Sequence, residues 1–307
     1  PAIVGHEVAG VVEHVGSHVP GLKPGDHVVA ALTSYCGHCP SCVSGYQVHC
    51  EDTSIKIPPG VADRITGADG KISQIMNLSG FAEKILVHYS SLIKITKEMP
   101  LDRAALLGCA VTTGTGAVWR SARVEPGSTV AVIGCGGIGL ATINGAAIAA
   151  AERIIAVDIS EKKLDMARAF GATDFVNASD CDPVEAVRDL TGGGVDNSFE
   201  CIGLPLTARQ AVEMTQSHGT ATIIGVFPKG ADMSFAGELL LTQRKIQGSF
   251  FGSALLPIDI PRLVNHYLAG RLKIDELISK RITLDQINDG FDDLKAGNVA
   301  RSVVIFP

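Results

Sequence analysis

A chain of 307 residues, 46% hydrophobic but only 5% aromatic and with 34 glycines, is long enough for two domains and has the composition of an α/β protein. Its formal net charge of −6, without a long run of Lys or Arg, excludes the basic surface that nucleic-acid binding or attraction to anionic membranes requires. No apolar run reaches the ~20 residues that a membrane-spanning helix needs.

The first fifty residues have the texture of an all-β domain, with short apolar runs separated by glycine. Strands are predicted at residues 8–15 and 27–32, joined through a polar turn at residues 22–26. The chain starts at Pro1 without a Met, a charged leader or a signal peptide, so we expect that a segment upstream of it is missing.

Four cysteines follow with the spacing C-x2-C-x2-C-x7-C, namely Cys36, Cys39, Cys42 and Cys50. Four thiolates this close can surround one tetrahedral zinc ion, and such an ion is structural because no position remains for a substrate. Two alternatives stay open. Disulfides are one, although the cofactor motif further along the chain argues for a reducing compartment. An iron–sulfur cluster is the other, because ferredoxin-like sequences also use C-x2-C-x2-C.

The segment after the cysteines, up to residue 107, has a less regular sequence pattern. Residues 52–79 are polar and without periodicity, and this length predicts a surface lobe near a cleft or a partner rather than a simple connection. Strands are predicted at 80–88 and 92–95, followed by a helix at 101–107.

A glycine-rich turn then lies between a strand and a helix. Residues 129–133 form a short β-branched run, typical of a strand buried on both faces, and residues 140–150 continue as a small-residue helix. Gly134 allows the turn, Gly136 lets backbone N–H groups approach a pyrophosphate, and Gly139 lets the helix pack close to the strand. The helix N-terminus then faces the phosphates with its partial positive charge.

A second apolar run, residues 154–157, ends in Asp158, which is 19 positions after Gly139. An acid at this place can hydrogen-bond an adenosine ribose 2′-OH and repels a 2′-phosphate, so the sequence predicts NAD rather than NADP. The alternative is an empty structural turn, because glycine-rich turns join strands to helices in many proteins.

Helices and strands alternate after Asp158, a pattern typical of two β-α-β halves around a parallel sheet. The predicted helices are 161–170, 183–190 and 205–216, and the predicted strands are 174–176, 196–201, 220–224 and 246–250. A helix at 257–269 and a strand, helix and strand within 282–307 follow, and we expect this last part to return to the first domain.

The chain resembles the zinc-dependent medium-chain alcohol dehydrogenases over essentially its whole length. The matching motifs occur in that family's order and near its spacings: Gly5-His6-Glu7, the four-cysteine loop, Gly108-Cys109, the turn at 134–139, Asp158 and Arg301 with the apolar run after it. The resemblance implies a Rossmann doubly wound parallel sheet plus a mostly-β GroES-like catalytic domain. It implies a catalytic domain at 1–110, an NAD-binding domain at 111–252 and a return to the catalytic domain at 253–307.

The resemblance also implies functional residues. His6 and Cys109 would be catalytic zinc ligands, Glu7 the acid behind that metal, and Cys36, Cys39, Cys42 and Cys50 the ligands of a structural zinc. It also implies cofactor-binding residues, all in the second domain except Arg301 near the end of the chain. They are Thr113 and Ile138 on the nicotinamide side, Asp158 and Lys163 on the adenosine ribose, Arg301 on the pyrophosphate, and Gly134, Gly136, Gly137, Gly139 and Val226. On residue type alone, His6 would be a structural histidine and Cys109 a small buried hydrophobe.

The implied function is the reversible, NAD-dependent oxidation of a primary or secondary alcohol to an aldehyde or ketone, with zinc as a Lewis acid. Members of the family have one more catalytic-zinc ligand, a cysteine that would lie upstream of Pro1, so this sequence contains two of the three expected ligands. The alternative is therefore a non-catalytic NAD- and zinc-binding fragment of the same fold. Glutathione-dependent members carry an arginine where this chain has Thr53, which argues against a glutathione adduct as substrate. The implied partners are a small alcohol or aldehyde and a second copy in a cytoplasmic homodimer, with a homotetramer as the alternative.

Overall fold

The computed structural model describes residues 1–55, 64–68, 70–297 and 299–307. Its contacts divide the chain into two units. The first unit comprises residues 1–110, 254–270 and 274–307, and the second comprises residues 111–253 and 271–273. The predicted lobe at 52–79 is covered only in part, because 56–63 and 69 lie outside the described residues.

The strands in the first 110 residues are short. They are β1 (Ala2–Ile3), β2 (Val8–Val11), β3 (His27–Ala30), β4 (Thr66–Gly67), β5 (Gly70–Lys71), β6 (Ser73–Gln74) and β7 (Leu92–Ile95). Strands β2, β3 and β7 form an antiparallel sheet, β4 and β5 an antiparallel pair, and β1 and β6 a parallel pair. The predicted all-β texture is confirmed, and the apolar residues of the central strand β3 are buried.

The strand predicted at 80–88 is wrong, because this segment pairs with no strand among the residues that the structure describes. Its backbone finds other partners: the N–H groups of Gly80 and Phe81 donate to the carbonyls of Gly5 and Val4. The side-chain amide of Gln74 donates to the carbonyl of Leu86. Backbone groups satisfied by a loop and a side chain need no neighbouring strand.

The helices of this part are also short. They are α1 (Pro40–Val43), within the cysteine loop, and α2 (Leu101–Ala104). Helix α3 (Ala110–Gly116) begins at the last residue of this segment, and its other residues belong to the second unit. The predicted helix at 101–107 is confirmed as α2 followed by a 3-10 turn, Ala105–Gly108.

The second unit contains a six-stranded parallel sheet. Its strands are β8 (Thr129–Ile133), β9 (Arg153–Asp158), β10 (Asp174–Asn177), β11 (Val195–Glu200), β12 (Thr215–Ile223) and β13 (Lys245–Gly248). They lie in the order β10-β9-β8-β11-β12-β13, so the strand order reverses between β8 and β11. This is the doubly wound arrangement of dinucleotide-binding sheets, and the fold predicted from the sequence is confirmed.

The helices of this unit are α4 (Gly137–Ile148), α5 (Glu161–Ala169), α6 (Pro183–Thr191) and α7 (Pro205–Met214). Helix α6 shows why the alternation of helices and strands could be predicted from the sequence. Asp182 caps its N-terminus by accepting the N–H groups of Val184 and Glu185, Pro183 stands at its first position, and Gly192 ends it in the left-handed conformation.

The last elements are α8 (Leu256–Leu268), β14 (Ile278–Ile282), α9 (Ile287–Lys295) and β15 (Arg301–Val304). The predicted order of strand, helix and strand is confirmed, although the first strand begins four residues before the predicted segment, and β14 and β15 pair in parallel. Within the first unit, ion pairs of Arg103 with Asp275 and of Arg281 with Asp102 attach this segment to α2. Among the helices that the structure describes, none is long and apolar enough to span a membrane.

Candidate functional site

The four cysteines of the loop come together as the sequence predicts. Their sulfur atoms all lie within 4.8 Å of one another, with 4.0 Å between the sulfurs of Cys36 and Cys42 and between those of Cys39 and Cys50. Four sulfurs at about 2.3 Å from a tetrahedral zinc ion are about 3.8 Å apart. A disulfide requires an S–S distance of about 2.05 Å, so this alternative is wrong and the four thiols are free to bind a metal.

Backbone groups prepare this loop for thiolates. The N–H groups of Cys36 and Cys39 donate to the sulfurs of Cys50 and Cys36, each at 3.3 Å. The backbone N–H groups of Glu51 and Cys42 lower the pKa of the Cys39 thiol to about 6. Burial raises the pKa of the Cys42 thiol to about 12, so metal binding must displace its proton. The donor set and its separations fit one structural zinc ion.

His6 and Cys109 belong to two segments that are packed together through their neighbours. Oε1 of Glu7 accepts the N–H of Ala110 at 2.8 Å. A Cβ atom added at Gly108 would lie 2.6 Å from the carbonyl oxygen of Ala30 and 3.5 Å from the Cα of Glu7. Only glycine permits this approach. Gly108 and Ala110, on either side of Cys109, therefore both lie against Glu7, the residue after His6.

The other oxygen of the Glu7 carboxylate faces a cation. Nε of Arg301 lies 3.3 Å from Oε2 of Glu7, and both side chains are about three-quarters buried. Arg301 also donates from Nη1 to the carbonyl oxygen of Ala300. The predicted contact of Arg301 with a pyrophosphate stays a prediction, while its described partner is Glu7.

An imidazole and a thiolate are suitable zinc ligands, so the residue types at His6 and Cys109 fit a catalytic zinc. Over residues 1–55, 64–68, 70–297 and 299–307, these two side chains belong to no group of three metal-ligating side chains within 4.8 Å. Their role as ligands stays a prediction.

Gly134 and Gly139 have the backbone geometry that the sequence predicts for them, while the approach of a pyrophosphate at Gly136 stays a prediction. Gly134 has φ +94°, a left-handed conformation that favours glycine, and a Cβ atom at Gly139 would overlap the carbonyl oxygen of Gly134. Apart from its own neighbours along the chain, no described atom lies within 4 Å of the place where a Cβ atom of Gly136 would stand. Helix α4 starts at Gly137 without a side-chain cap, so its first N–H groups can receive a phosphate.

The carboxylate of Asp158 is buried at the end of β9 and bound by the backbone on both sides. Oδ2 accepts the N–H of Cys135 in the glycine-rich turn at 2.8 Å, and Oδ1 accepts the N–H of Ser160 at 3.0 Å. The ammonium group of Lys163 lies 4.0 Å from Oδ2. This arrangement holds the carboxylate and the turn in one fixed geometry.

Two further predicted residues, Thr113 and Ile138, belong to helices that are in close contact. A Cβ atom at Gly114, next to Thr113, would lie 2.6 Å from the carbonyl oxygen of Ile138. Thr113 is buried, whereas Val226, in the turn after β12, is almost fully exposed. Their contacts with a cofactor stay predictions.

Sequence reasoning missed Glu200, the last residue of β11. Its side chain is fully buried, and its Oε1 accepts the N–H groups of Ile202 and Gly203 at 2.9 and 2.7 Å. The sequence carried only a weak signal: Glu200 ends its strand as Asp158 ends β9, but β11 has just two apolar residues, Val195 and Phe199.

Two family models match the chain. The model described as "Alcohol dehydrogenase GroES-like domain" matches residues 1–97, and the model described as "Zinc-binding dehydrogenase" matches residues 137–268. The first match contains the antiparallel sheet and the cysteine loop, and the second contains most of the parallel sheet.

Curated relatives align over almost the whole chain. "Alcohol dehydrogenase class-3" from Pisum sativum is 43% identical over 99% of this chain and 82% of that protein. "Probable S-(hydroxymethyl)glutathione dehydrogenase 1" from Schizosaccharomyces pombe is 40% identical over the same shares.

Solved structures agree with the fold. An alcohol dehydrogenase zinc-binding domain protein from Burkholderia ambifaria has a TM-score of 0.94 and 37% identity, covering 100% of this chain and 84% of that one. A putative zinc-binding dehydrogenase from Sinorhizobium meliloti, solved bound to NADP, has a TM-score of 0.83 and 29% identity over the same shares.

Proposed function

This chain belongs to the zinc-binding medium-chain alcohol dehydrogenase family, and on that premise we propose that it catalyses the reversible oxidation of a primary or secondary alcohol with NAD. The observation that carries the proposal is the hydrogen bond from the N–H of Ala110 to Glu7. It joins the neighbours of His6 and Cys109, the two side chains whose chemistry suits a catalytic zinc.

In this proposal His6 and Cys109 hold the catalytic zinc, and the chemistry that zinc supplies when bound is polarisation of the alcohol oxygen, which lowers the pKa of the hydroxyl. Glu7 does not need to touch the metal. Its carboxylate fixes the backbone beside both ligands, and Arg301 balances its charge. Such supporting contacts orient metal ligands and tune their basicity.

The second unit binds the cofactor in this proposal. The N–H groups at the start of α4 bind the pyrophosphate, and Asp158 accepts a hydrogen bond from the adenosine ribose. The chemistry that NAD supplies when bound is acceptance of the hydride from the alcohol carbon. The charge of Asp158 favours NAD over NADP.

The experiment is an alcohol panel with NAD and with NADP, followed by NADH absorbance, together with direct NADH binding to the same preparation. Turnover with NAD that is lost in His6→Ala, with NADH binding kept, supports the proposal. NADH binding without turnover of any alcohol, in a preparation that holds two zinc ions per chain, contradicts it. That outcome would instead support a non-catalytic NAD- and zinc-binding protein of the same fold.

A second candidate substrate is S-(hydroxymethyl)glutathione, favoured by the name of the Schizosaccharomyces pombe relative. One observation opposes it. The position three residues after Cys50 holds Thr53 rather than arginine, and the neighbouring Asp52 presents a carboxylate that repels an anionic substrate. Formaldehyde with and without glutathione decides between the two, because only a glutathione-adduct enzyme requires the thiol.

A further inference from the structure

The carboxylate of Glu200 has two oxygens in unequal surroundings. Oε1 accepts three hydrogen bonds, from the N–H of Ile202 at 2.9 Å, the N–H of Gly203 at 2.7 Å and the hydroxyl of Thr207 at 2.8 Å. Oε2 is buried and has no hydrogen-bond partner among the residues that the structure describes. An unpaired carboxylate oxygen without solvent is costly, so the surrounding structure must maintain it.

Two glycines close the space around this carboxylate. A Cβ atom added at Gly225 would overlap the backbone nitrogen of Gly203 and would lie 2.6 Å from Oε2 of Glu200. The N–H of Gly225 donates to the backbone carbonyl of Glu200. The turns that follow β11 and β12 are therefore packed backbone against backbone, with the Glu200 side chain between them.

The first of these turns also supports the glycine-rich turn. A Cβ atom added at Gly134 would lie 2.5 Å from Cγ1 of Ile202, so the Ile202 side chain occupies the space beside Gly134. Ile202 remains about half exposed. Through Ile202, the bonds that Glu200 accepts set the position of the turn after β8.

This place in the sheet is where a ligand is expected. Glu200 ends β11, and β11 is the neighbour of β8 across the point where the strand order reverses. Ligands of doubly wound sheets bind outside the carboxyl ends of the strands at that point. Proteins break local rules, such as full satisfaction of buried polar groups, mainly at functional sites.

We propose that Glu200 is a positioning residue for the dinucleotide site: its Oε1 holds the turn 201–203 in the conformation that supports the glycine-rich turn. The inference rests on the proposed function, since it assumes that this unit binds NAD. Glu200 acts through the backbone and through Ile202, and it is not a catalytic residue.

The test uses four variants of the whole chain, two at Glu200 and two at Asp196. Asp196 is a matched control because it is an acid on the same strand, close to its amino-terminal end. It likewise accepts a backbone N–H and a hydroxyl, both from Thr129 at 2.8 Å. For each variant, NADH affinity is measured by fluorescence titration and the melting temperature is measured without cofactor.

We expect Glu200→Ala to weaken NADH binding by about tenfold or more. The turn 201–203 would no longer support the glycine-rich turn, whose N–H groups would then be misplaced for the pyrophosphate. Glu200→Gln keeps an oxygen that can accept the same three hydrogen bonds, so it should bind NADH within about threefold of the parent. Asp196→Ala and Asp196→Asn should lower the melting temperature and leave NADH affinity unchanged.

If the parent protein binds NADH, three results would overturn the positioning role of Glu200. They are normal affinity in Glu200→Ala, an equal loss in Glu200→Gln and Glu200→Ala, and an equal loss in the Asp196 variants. The second would mean that the charge matters rather than the acceptor geometry. A parent chain that binds no NADH overturns the proposed function, and the positioning role falls with it.

Discussion

Arg301 and Glu7 are joined by an ion pair, with 3.3 Å between Nε and Oε2, although 294 positions separate them in the sequence. The second oxygen of the same carboxylate accepts the N–H of Ala110. One partly buried acid thus connects the start of the chain, the segment that follows Cys109 and the last strand. The consequence is that the surroundings of His6 and Cys109 depend on the contacts of Glu7 and Arg301.

Glu7→Gln tests this connection. The amide keeps an acceptor for Ala110 but loses the charge that attracts Arg301, so the two proposed ligands should be held less well. We expect a loss of roughly 10- to 100-fold in catalytic-zinc affinity or in kcat/KM, as is typical for residues that support metal ligands. Glu13→Gln is the control, because Glu13 forms an exposed ion pair with Lys84 that contributes little. Equal effects of both substitutions would contradict the prediction.

His6→Ala should remove one zinc ion per chain, leaving the one in the cysteine loop, and should abolish alcohol oxidation. NADH binding should persist, because the glycine-rich turn and Asp158 are unchanged. Zinc is measured by elemental analysis on protein checked by intact mass. His14→Ala is the control, since the His14 side chain is 89% exposed. A zinc content unchanged by His6→Ala would exclude His6 as a ligand.

The sequence predicted those parts of the molecule in which the partners are close along the chain. The cysteine loop closes within 15 residues, and the β8 turn and α4 form one local motif in which Gly134 and Gly139 are required by geometry. The doubly wound sheet was predicted for the same reason, because each β-α-β element carries its own periodicity. The family was predicted from a resemblance in the order and spacing of its motifs, which does not depend on knowing any contact.

The rest depends on distant partners. Glu7 and Ala110 are 103 positions apart, and nothing near either residue indicates their hydrogen bond. The false strand at 80–88 has the same cause, since the groups that replace its strand partners lie in the segment around Gly5 and on Gln74. Glu200 could not be recognised for another reason: β11 also contains Asp196, Asn197 and Ser198, so the acid at its end does not stand out as Asp158 does after an apolar run.

Cys42→Ser should cost the structural zinc and lower the melting temperature by roughly ten degrees or more, because metal binding at such sites contributes much of the folding free energy. The hydroxyl is a poor substitute for a buried thiolate among four. Cys181→Ser is the control, since Cys181 is exposed and lies outside the cluster. Zinc content and thermal unfolding are measured together. A Cys42→Ser protein with full zinc and an unchanged melting temperature would refute the structural role.

Asp102 should make the protein sensitive to acid. Burial raises the pKa of its carboxyl, but hydrogen bonds from Arg103 and Arg281 outweigh burial, and the net pKa is lowered. A lowered pKa in the folded state stabilises the protein above the unfolded pKa of about 3.9, and this stability is lost as the pH falls through the folded value.

Asp102→Asn should therefore lower the free energy of unfolding by about 1–3 kcal/mol at pH 7. The difference from the parent should shrink below about pH 4, where Asp102 takes up a proton in the unfolded chain, and should vanish as the pH falls through the lowered pKa of the folded state. Urea unfolding across this pH range measures it. Asp165→Asn, on the exposed face of α5, serves as control and should match the parent throughout. A difference that stays constant with pH would show that charge is not the cause.

Asp158→Asn should shift the cofactor preference toward NADP. The amide oxygen can still accept the N–H of Cys135 and so preserve the turn, while the charge that repels a 2′-phosphate is removed. Lys163, now 4.0 Å from the carboxylate, would lose its anionic neighbour and become available to the phosphate. We expect the ratio of kcat/KM for NADP to that for NAD to rise at least about tenfold, which corresponds to about 1.4 kcal/mol. The double substitution Asp158→Asn with Lys163→Gln should lose much of this gain. An unchanged ratio in Asp158→Asn would mean that the acid does not face the ribose, and that NAD selection resides elsewhere in the chain.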